Sequence, residues 1–224
     1  MKTILNNTFY SKIFIIILAI PILFNCSKED EPIIAISPPS INFSSTNFET
    51  TFFVSGHTPS PTVNWNGEQG IFSLNSIIKG VTINSNSGVI SWSKELLLGI
   101  NTIELIASNS AGQISINITI ENLFKGVFKG GFNNNPNSKT IEDMNFYTYT
   151  FDSLGVITST SAFGTETGKW EIHNKLLITE FSTYVENFDI YKDGTNAYIE
   201  GLWVLLPYED GNPANGYVKL TLDK

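Results

Sequence analysis

Residues Ile114-Ser115-Ile116-Asn117-Ile118-Thr119-Ile120 alternate apolar and polar side chains without a break. A strand sends successive side chains to opposite faces, so this run puts the isoleucines on one side and Ser115, Asn117 and Thr119 on the other. Wound as a helix, the same isoleucines would scatter around the axis. The run therefore predicts a half-buried antiparallel strand. A second one is predicted over residues 102–108, and Asn109-Ser110-Ala111-Gly112 between them has hairpin-turn chemistry. Earlier candidates, over 51–55, 62–65 and 89–93, are separated by turns containing Gly and Pro. Short strands at this spacing predict a β-sandwich.

After Leu123-Phe124-Lys125 the pattern changes. Strands are predicted over 126–132, 145–151, 168–172, 176–179, 185–191, 197–205 and 216–222. The turns between them include Asp152-Ser153-Leu154-Gly155, Asp193-Gly194 and Asp210-Gly211-Asn212-Pro213. Such a series makes about eight antiparallel strands. The expected fold is all-β: a sandwich over residues 33–122, then an antiparallel meander or barrel over 124–224. Eight strands leave little interior room, so the barrel is expected to be filled by its own side chains, the alternative being an open end that holds a small apolar ligand.

Charge narrows the partners. The chain has no arginine, and its 13 lysines face 21 acids. Without residues 1–25, which contain Lys2 and Lys12, the count is 11 − 21 = −10. Nucleic acid is not an expected partner of so acidic a body.

Residues 13–24 form an uncharged apolar run preceded by Lys2 and Lys12, too short to span a bilayer comfortably and suited to a signal-peptide core. Read only as an apolar run, it also fits a plain secretory signal or an uncleaved anchor helix. Leu23-Phe24-Asn25-Cys26 resembles the lipobox of bacterial lipoproteins, although Asn25 stands where a small residue is usual. The resemblance implies that residues 1–25 are removed and that Cys26 carries the lipid. Ser27-Lys28-Glu29-Asp30-Glu31 is similar to the acidic export signal of Bacteroidetes surface lipoproteins, which implies display on the outer face of the outer membrane. Residues 26–32 would then be an acidic tether, and Pro32, Pro38 and Pro39 mark an extended spacer. With its one cysteine acylated, the mature chain could form no disulfide, cysteine nucleophile or cysteine-ligated metal site.

Two further resemblances concern the body. The stretch from Gly80 through Trp92, with Leu98-Gly99-Ile100-Asn101-Thr102-Ile103 and Ala107-Ser108-Asn109-Ser110-Ala111-Gly112, resembles the immunoglobulin-like, cadherin-like repeats of bacterial surface proteins. Gly168-Lys169-Trp170-Glu171-Ile172, in an up-and-down strand series, resembles the small lipocalin-like domains of Bacteroidetes lipoproteins. That likeness implies a barrel able to hold a small apolar ligand. Asp152-Ser153-Leu154 also resembles the Bacteroidetes acceptor motif for O-glycosylation, besides reading as a plain turn.

Candidate chemistry is sparse. Trp65, Trp92, Trp170 and Trp203 are expected in cores. Tyr184, Tyr208 and Tyr217, among Glu186, Glu209, Asp210 and Asn215, are expected to be exposed and are the candidate ligand-binding residues. Planar rings with nearby carboxylates and amides suit a carbohydrate surface. No catalytic residue is assigned. His57 and His173 fall in different modules, no carboxylate pair stands out by spacing, and no glycine-rich phosphate loop precedes a helix. Glu49, Glu68, Glu95, Glu104 and Glu121 are scattered, so no calcium site is expected, and no cofactor or other metal is implied. The functional expectation is a lipid-anchored outer-membrane lipoprotein at the cell surface, not an enzyme, with a noncatalytic binding or scaffolding role. Its partners would be the membrane, through the anchor, and a glycan or another surface protein. The alternatives are a glycan-binding accessory of a polysaccharide uptake system and, behind it, a secreted hydrolase with two carboxylates within about 10 Å of one another.

Overall fold

The computed structural model describes residues 35–141, 146–173, 175–207 and 213–224. The apolar leader, Cys26, the acidic cluster and Tyr208 lie outside the described residues. Every regular element among the described residues is a strand. The first nine are β1 (Ser40–Asn42), β2 (Asn47–Thr51), β3 (Gly56–His57), β4 (Thr62–Asn64), β5 (Ile71–Leu74), β6 (Val81–Ile83), β7 (Ile90–Trp92), β8 (Gly99–Asn109) and β9 (Gly112–Leu123). Then come β10 (Gly126–Asn133), β11 (Phe146–Phe151), β12 (Val156–Ser161), β13 (Gly164–His173), β14 (Leu176–Glu180), β15 (Tyr184–Lys192), β16 (Ala197–Leu205) and β17 (Gly216–Leu222).

The hairpin β8–β9 is the spine of the sandwich. Its turn is the expected one: Asn109 pairs with Gly112, and Asn109 Oδ1 accepts from the backbone N–H groups of Ala111 and Gly112 at 3.0 and 3.2 Å. β2 adds in parallel to β9 and β5 antiparallel to β8, giving the sheet order β2-β9-β8-β5. A second sheet, β3-β7-β6, supplies the facing layer, and β1 pairs with β4 alongside. Ile103, Leu105, Ala107, Ile118 and Ile120 from the first sheet meet Val81, Ile90 and Trp92 from the second in one buried cluster. Each large member contributes about 1.5–3 kcal/mol by leaving water. Trp65 packs on this cluster, and Trp92 Nε1 donates to Thr50 Oγ1 at 3.1 Å, so both tryptophans are core residues as expected.

One expected strand is displaced. Residues 51–55 do not form it: β2 runs through Asn47–Thr51 and stops, because the chain turns at Phe52 and Phe53, with φ +65° at Phe53 and Val54 N–H donating to Thr51 O at 3.0 Å. The turn releases the two phenylalanine rings from the sandwich, and both are buried in the core of the following sheet.

β10 to β17 form a closed antiparallel barrel in simple up-and-down order, with β10 paired to both β11 and β17. Neighbouring strands of the barrel approach closely at inward-facing glycines. A Cβ on Gly201 would stand 1.8 Å from Asn187 O, and one on Gly130 would stand 2.0 Å from Lys219 O. Only a residue without a side chain lets the neighbouring backbone come so close.

Ile36–Lys224, both sheets of the sandwich and the barrel together, form one compact unit. Phe124, two residues before the start of β10, is 4% exposed and sits in the barrel's core: its ring lies 5.1 Å from Phe52, 5.6 Å from Phe128, 5.1 Å from Phe151 and 5.5 Å from Trp170. Beside it, Lys192 Nζ donates to Lys94 O at 3.1 Å and Leu96 O at 2.8 Å, tying the end of β15 to the sandwich. The base of the barrel is thus filled by its own side chains and plugged by Phe52 and Phe124.

Candidate functional site: an aromatic cup with a buried carboxylate

The opposite end of the barrel is not filled. Phe132 near the end of β10, Tyr147 and Tyr149 on β11, Tyr184 and Glu186 on β15, Trp203 on β16 and Val218 on β17 line a cavity of about 180 Å³. The expectation of a filled interior therefore holds for the base and fails for this end. The inward side chains here are ring systems held apart by their own shape. Phe132 meets Tyr147 at 5.3 Å with planes 59° apart, Trp203 at 5.9 Å and 89°, and Tyr147 meets Tyr149 at 6.1 Å and 78°. Rings set edge to face keep their preferred contacts while leaving a hollow between them. Trp203 is pinned by Nε1–H donating to Asn133 O at 3.1 Å.

Glu186 forms part of the cavity wall and is 3% exposed. Tyr149 O–H donates to Oε1 at 2.8 Å and Thr179 Oγ1–H to Oε2 at 2.7 Å. Burial favours the neutral acid and outweighs these two hydrogen bonds, pushing the carboxyl up to about 7. The Glu166 charge adds to the rise. Glu166 itself accepts from Tyr184 O–H at 2.6 Å. Burial first, then that bond to Glu166, drives the Tyr184 phenol well up, and burial, then the Glu186 charge, does the same to Tyr149. Both phenols stay protonated and serve as donors across the neutral range.

The three expected binding tyrosines have different fates. Tyr184 is half-buried and faces the barrel interior, where it lines the cup, rather than standing on the surface. Tyr217 is 3% exposed. It points to the outer side of β17, where its O–H donates to Glu200 Oε2 at 2.7 Å, and Glu200 also receives Lys219 at 3.1 Å and Lys139 at 3.2 Å. Burial raises the Glu200 carboxyl, yet those three donors outweigh it and hold Glu200 below the usual carboxylate range. Tyr217 is thus committed to a structural network and is no exposed platform. Tyr208 lies outside the described residues.

Glu186, expected among the surface acids, is instead the most buried acid among the described residues. A signal for it exists in the sequence. On β15, Tyr184, Glu186, Phe188 and Ile190 share one parity, and the last two are plain core residues, so the same face carries the glutamate inward. Trp203 follows its expected face with Ala197 and Ile199. Phe132, Tyr147 and Tyr149 carry no comparable mark, because aromatic residues in strands are ordinary core. His57 is exposed on the sandwich, and His173 is exposed and paired with Glu171 at 2.9 Å. Among the described residues no group of three or more His, Cys, Asp or Glu could hold a metal ion.

No protein-family profile matches the chain, and no curated protein matches its sequence. Solved structures share features of its shape. A candidate α-galactosidase/melibiase of Bacteroides fragilis aligns over 39% of this chain at 16% identity and a TM-score of 0.33, and the chain spans only 18% of that protein. The human protocadherin-24 EC1-2 structure aligns over 84% of this chain and 96% of its own length, at 10% identity and a TM-score of 0.39. A quinonprotein alcohol dehydrogenase-like protein of Bacteroides thetaiotaomicron aligns over 80% of this chain and 71% of its own, at 9% identity and a TM-score of 0.30. Likenesses this distant carry nothing about activity, and the all-β architecture rests on the strands themselves.

Proposed function

We propose that this chain is a lipid-anchored outer-membrane lipoprotein, displayed at the cell surface, whose barrel binds a small molecule without transforming it. The observation that carries the binding role is the cup: a hollow closed at its floor, walled by five aromatic residues and holding one buried carboxylate. At about 180 Å³ it lies below the roughly 300–1,000 Å³ of drug-sized pockets, which suits a compact ligand. The anchor rests on Cys26 and the leader before it. Several acyl chains on one cysteine, each methylene adding about 0.8 kcal/mol, hold a protein durably, whereas a single chain does not. The sandwich then spaces the cup from the membrane. Labelled fatty acid should enter the wild type and not Cys26→Ala, and protease added to whole cells should degrade the protein. An unlabelled wild type, or full protection from protease, would refute the location.

One observation favours a second reading, a hydrolase. The Glu166 charge acts on Glu186, and a tyrosine of the cup links to Glu166, so two carboxylates do share this end of the barrel. Against it, both Glu186 oxygens already accept hydroxyl hydrogens, and the hollow is too small to straddle a glycosidic bond between two sugar rings. Turnover of aryl glycosides that disappears in Glu186→Gln would establish the hydrolase and refute the binding role.

A further inference from the structure

The base of the barrel, at the end away from the cup, carries another hollow of about 370 Å³, beside the turn that follows β2. Lys94, Lys125 and Lys224 line it together with Asp223, Phe53 and Val54. Three lysines and one acid give this lining a charge of +2, on a chain whose net charge is −8. Phe53 organises them. Its φ of +65° is a costly conformation for a bulky residue, and the ring stays buried at 4% exposure while Lys94 Nζ stands 4.8 Å and Lys224 Nζ 5.8 Å from its centroid. Two like charges on one ring repel each other. Neither forms an ion pair among the described residues, and Lys224 Nζ donates to the neutral acceptors Thr195 O and Asn196 Oδ1. The acids nearby are committed. Asp223 pairs with Lys129 at 2.6 Å, Glu49 with Lys125 at 3.3 Å, and Asp193 Oδ1 accepts from the N–H groups of Thr195 and Asn196 in its own turn. The Lys125–Glu49 pair is solvent-exposed and therefore weak, so Lys125 can turn to a better partner. More distant acids do not reach the hollow. Ser37 is bonded to Asn66 and Asn109 beside the β8–β9 turn, and the 12 residues of β9, about 36 Å, separate that turn from Leu123 next to the hollow. Glu29, the farthest of the acids in the cluster 29–31, is eight residues from Ser37, about 29 Å at full extension. Glu142 and Asp143 join the cup-end termini of β10 and β11, and Glu209 and Asp210 join those of β16 and β17.

We infer that this hollow binds a phosphate monoester, with Lys94, Lys125 and Lys224 around the phosphate and Phe53 and Val54 against the organic part of the ester. A phosphate monoester carries roughly −1.5 to −2 charge at neutral pH, which matches the +2 of the lining. Lysine meets phosphate as a point charge on a flexible stem, so ammonium groups held by a ring and by neutral oxygens can converge on it. A carboxylate neutralises only one of the two charges. Inorganic phosphate leaves Val54, which is 50% exposed, uncovered. An uncharged aromatic molecule gains the apolar contact and leaves the lysines repelling one another. The same chemistry occurs on a membrane lipid headgroup and on a free phosphorylated metabolite. This site is separate from the cup and independent of the small-molecule reading given above.

The test uses the full chain purified in a nonionic maltoside detergent, titrated calorimetrically with phenyl phosphate, inorganic phosphate, benzoate and phenol. Phenyl phosphate should bind, and each of the other three should bind roughly tenfold more weakly or worse. Lys94→Gln combined with Lys224→Gln, with an unchanged circular dichroism spectrum, should weaken phenyl phosphate by roughly tenfold or more. Val54→Asp, which sets a carboxylate in the hollow at a half-exposed position, should do the same. Lys169→Gln, which removes an exposed lysine of β13 outside the hollow, should change binding by less than about twofold. Competition with dihexanoyl phosphatidic acid and dihexanoyl phosphatidylcholine names the source. Displacement by the phosphatidic acid alone assigns a lipid headgroup, and displacement by neither lipid assigns a free ester; both results keep the site. Displacement by the phosphatidylcholine overturns it, as does any of the three simpler probes binding as tightly as phenyl phosphate. A double lysine variant that still binds fully, or a loss in Lys169→Gln equal to its loss, reduces the hollow to diffuse charge and overturns the site. If neither phenyl phosphate nor the phosphatidic acid binds, the inference falls while the cup is untouched.

Discussion

Phe124→Ala tests whether the base of the barrel depends on the ring that plugs it. Phe124 is 4% exposed, and its ring touches Phe52 from the sandwich side and Phe128, Phe151 and Trp170 from the barrel. Removing a fully packed phenylalanine costs about 3–5 kcal/mol, from lost transfer energy and the cavity left behind. The upper half of that range applies here, because four aromatic contacts vanish together and the rigid rings around them close the gap poorly. For a folded body of this size each kcal/mol moves the thermal midpoint by about 2–4 °C. The drop should therefore be roughly 8–20 °C. Differential scanning calorimetry should show one transition in the wild type, and a lowered, broadened or split one in the variant as the barrel loses its plug. Phe163→Ala serves as the control: Phe163 is 87% exposed, and its loss should stay within about 0.5 kcal/mol. A shift below about 3 °C in Phe124→Ala would refute the plug.

Two other outcomes follow from the barrel interior. The Glu186 carboxyl is raised to about 7, above its unfolded value, so between about pH 4.5 and 7 the unfolded chain loses that proton while the folded chain keeps it. Stability therefore falls as pH rises through this window, by about 3 kcal/mol, and the loss persists above it. Glu186→Gln should melt above the wild type at pH 8, with the gap closing below pH 4.5; midpoints that run parallel across this range would contradict the buried acid. Gly201→Ala must push a methyl against Asn187 O, where an ideal Cβ stands at 1.8 Å, so urea denaturation should show a loss of about 1–3 kcal/mol or a failure to fold. A variant within about 0.5 kcal/mol of the wild type would show that closure does not depend on that glycine.

Much of the fold was legible from alternation alone. The bounds of β16 and β17 coincide with their predicted ranges, and the β8–β9 turn is the predicted one. β12 was not predicted, because Val156-Ile157-Thr158-Ser159-Thr160-Ser161 has a single buried apolar side chain, Ile157. It is a strand because its two neighbours, β11 and β13, hold both its edges. The 51–55 segment failed for the opposite reason. Phe52 and Phe53 are real core residues, but of the barrel's base, and the chain has to leave the sheet to deliver them, while Val54 is left half exposed. At the site, Tyr184 was singled out for the wrong surface, and Glu186 was passed over because a charged residue in a strand ordinarily faces water.

Taken alone, the order of residues determined an acidic, arginine-free, all-β chain with its turns and the parity of its longest strands, since period-two patterning is a local property of each segment. It could not determine which strand edges meet. β10 and β17 close the barrel across most of the second half of the chain, through backbone hydrogen bonds that any residues could supply. Nor could it say which face of each strand lies inside. Only closure turns five aromatic residues and one carboxylate, spread from Phe132 to Trp203, toward a common hollow, where loss of water changes what each of them does.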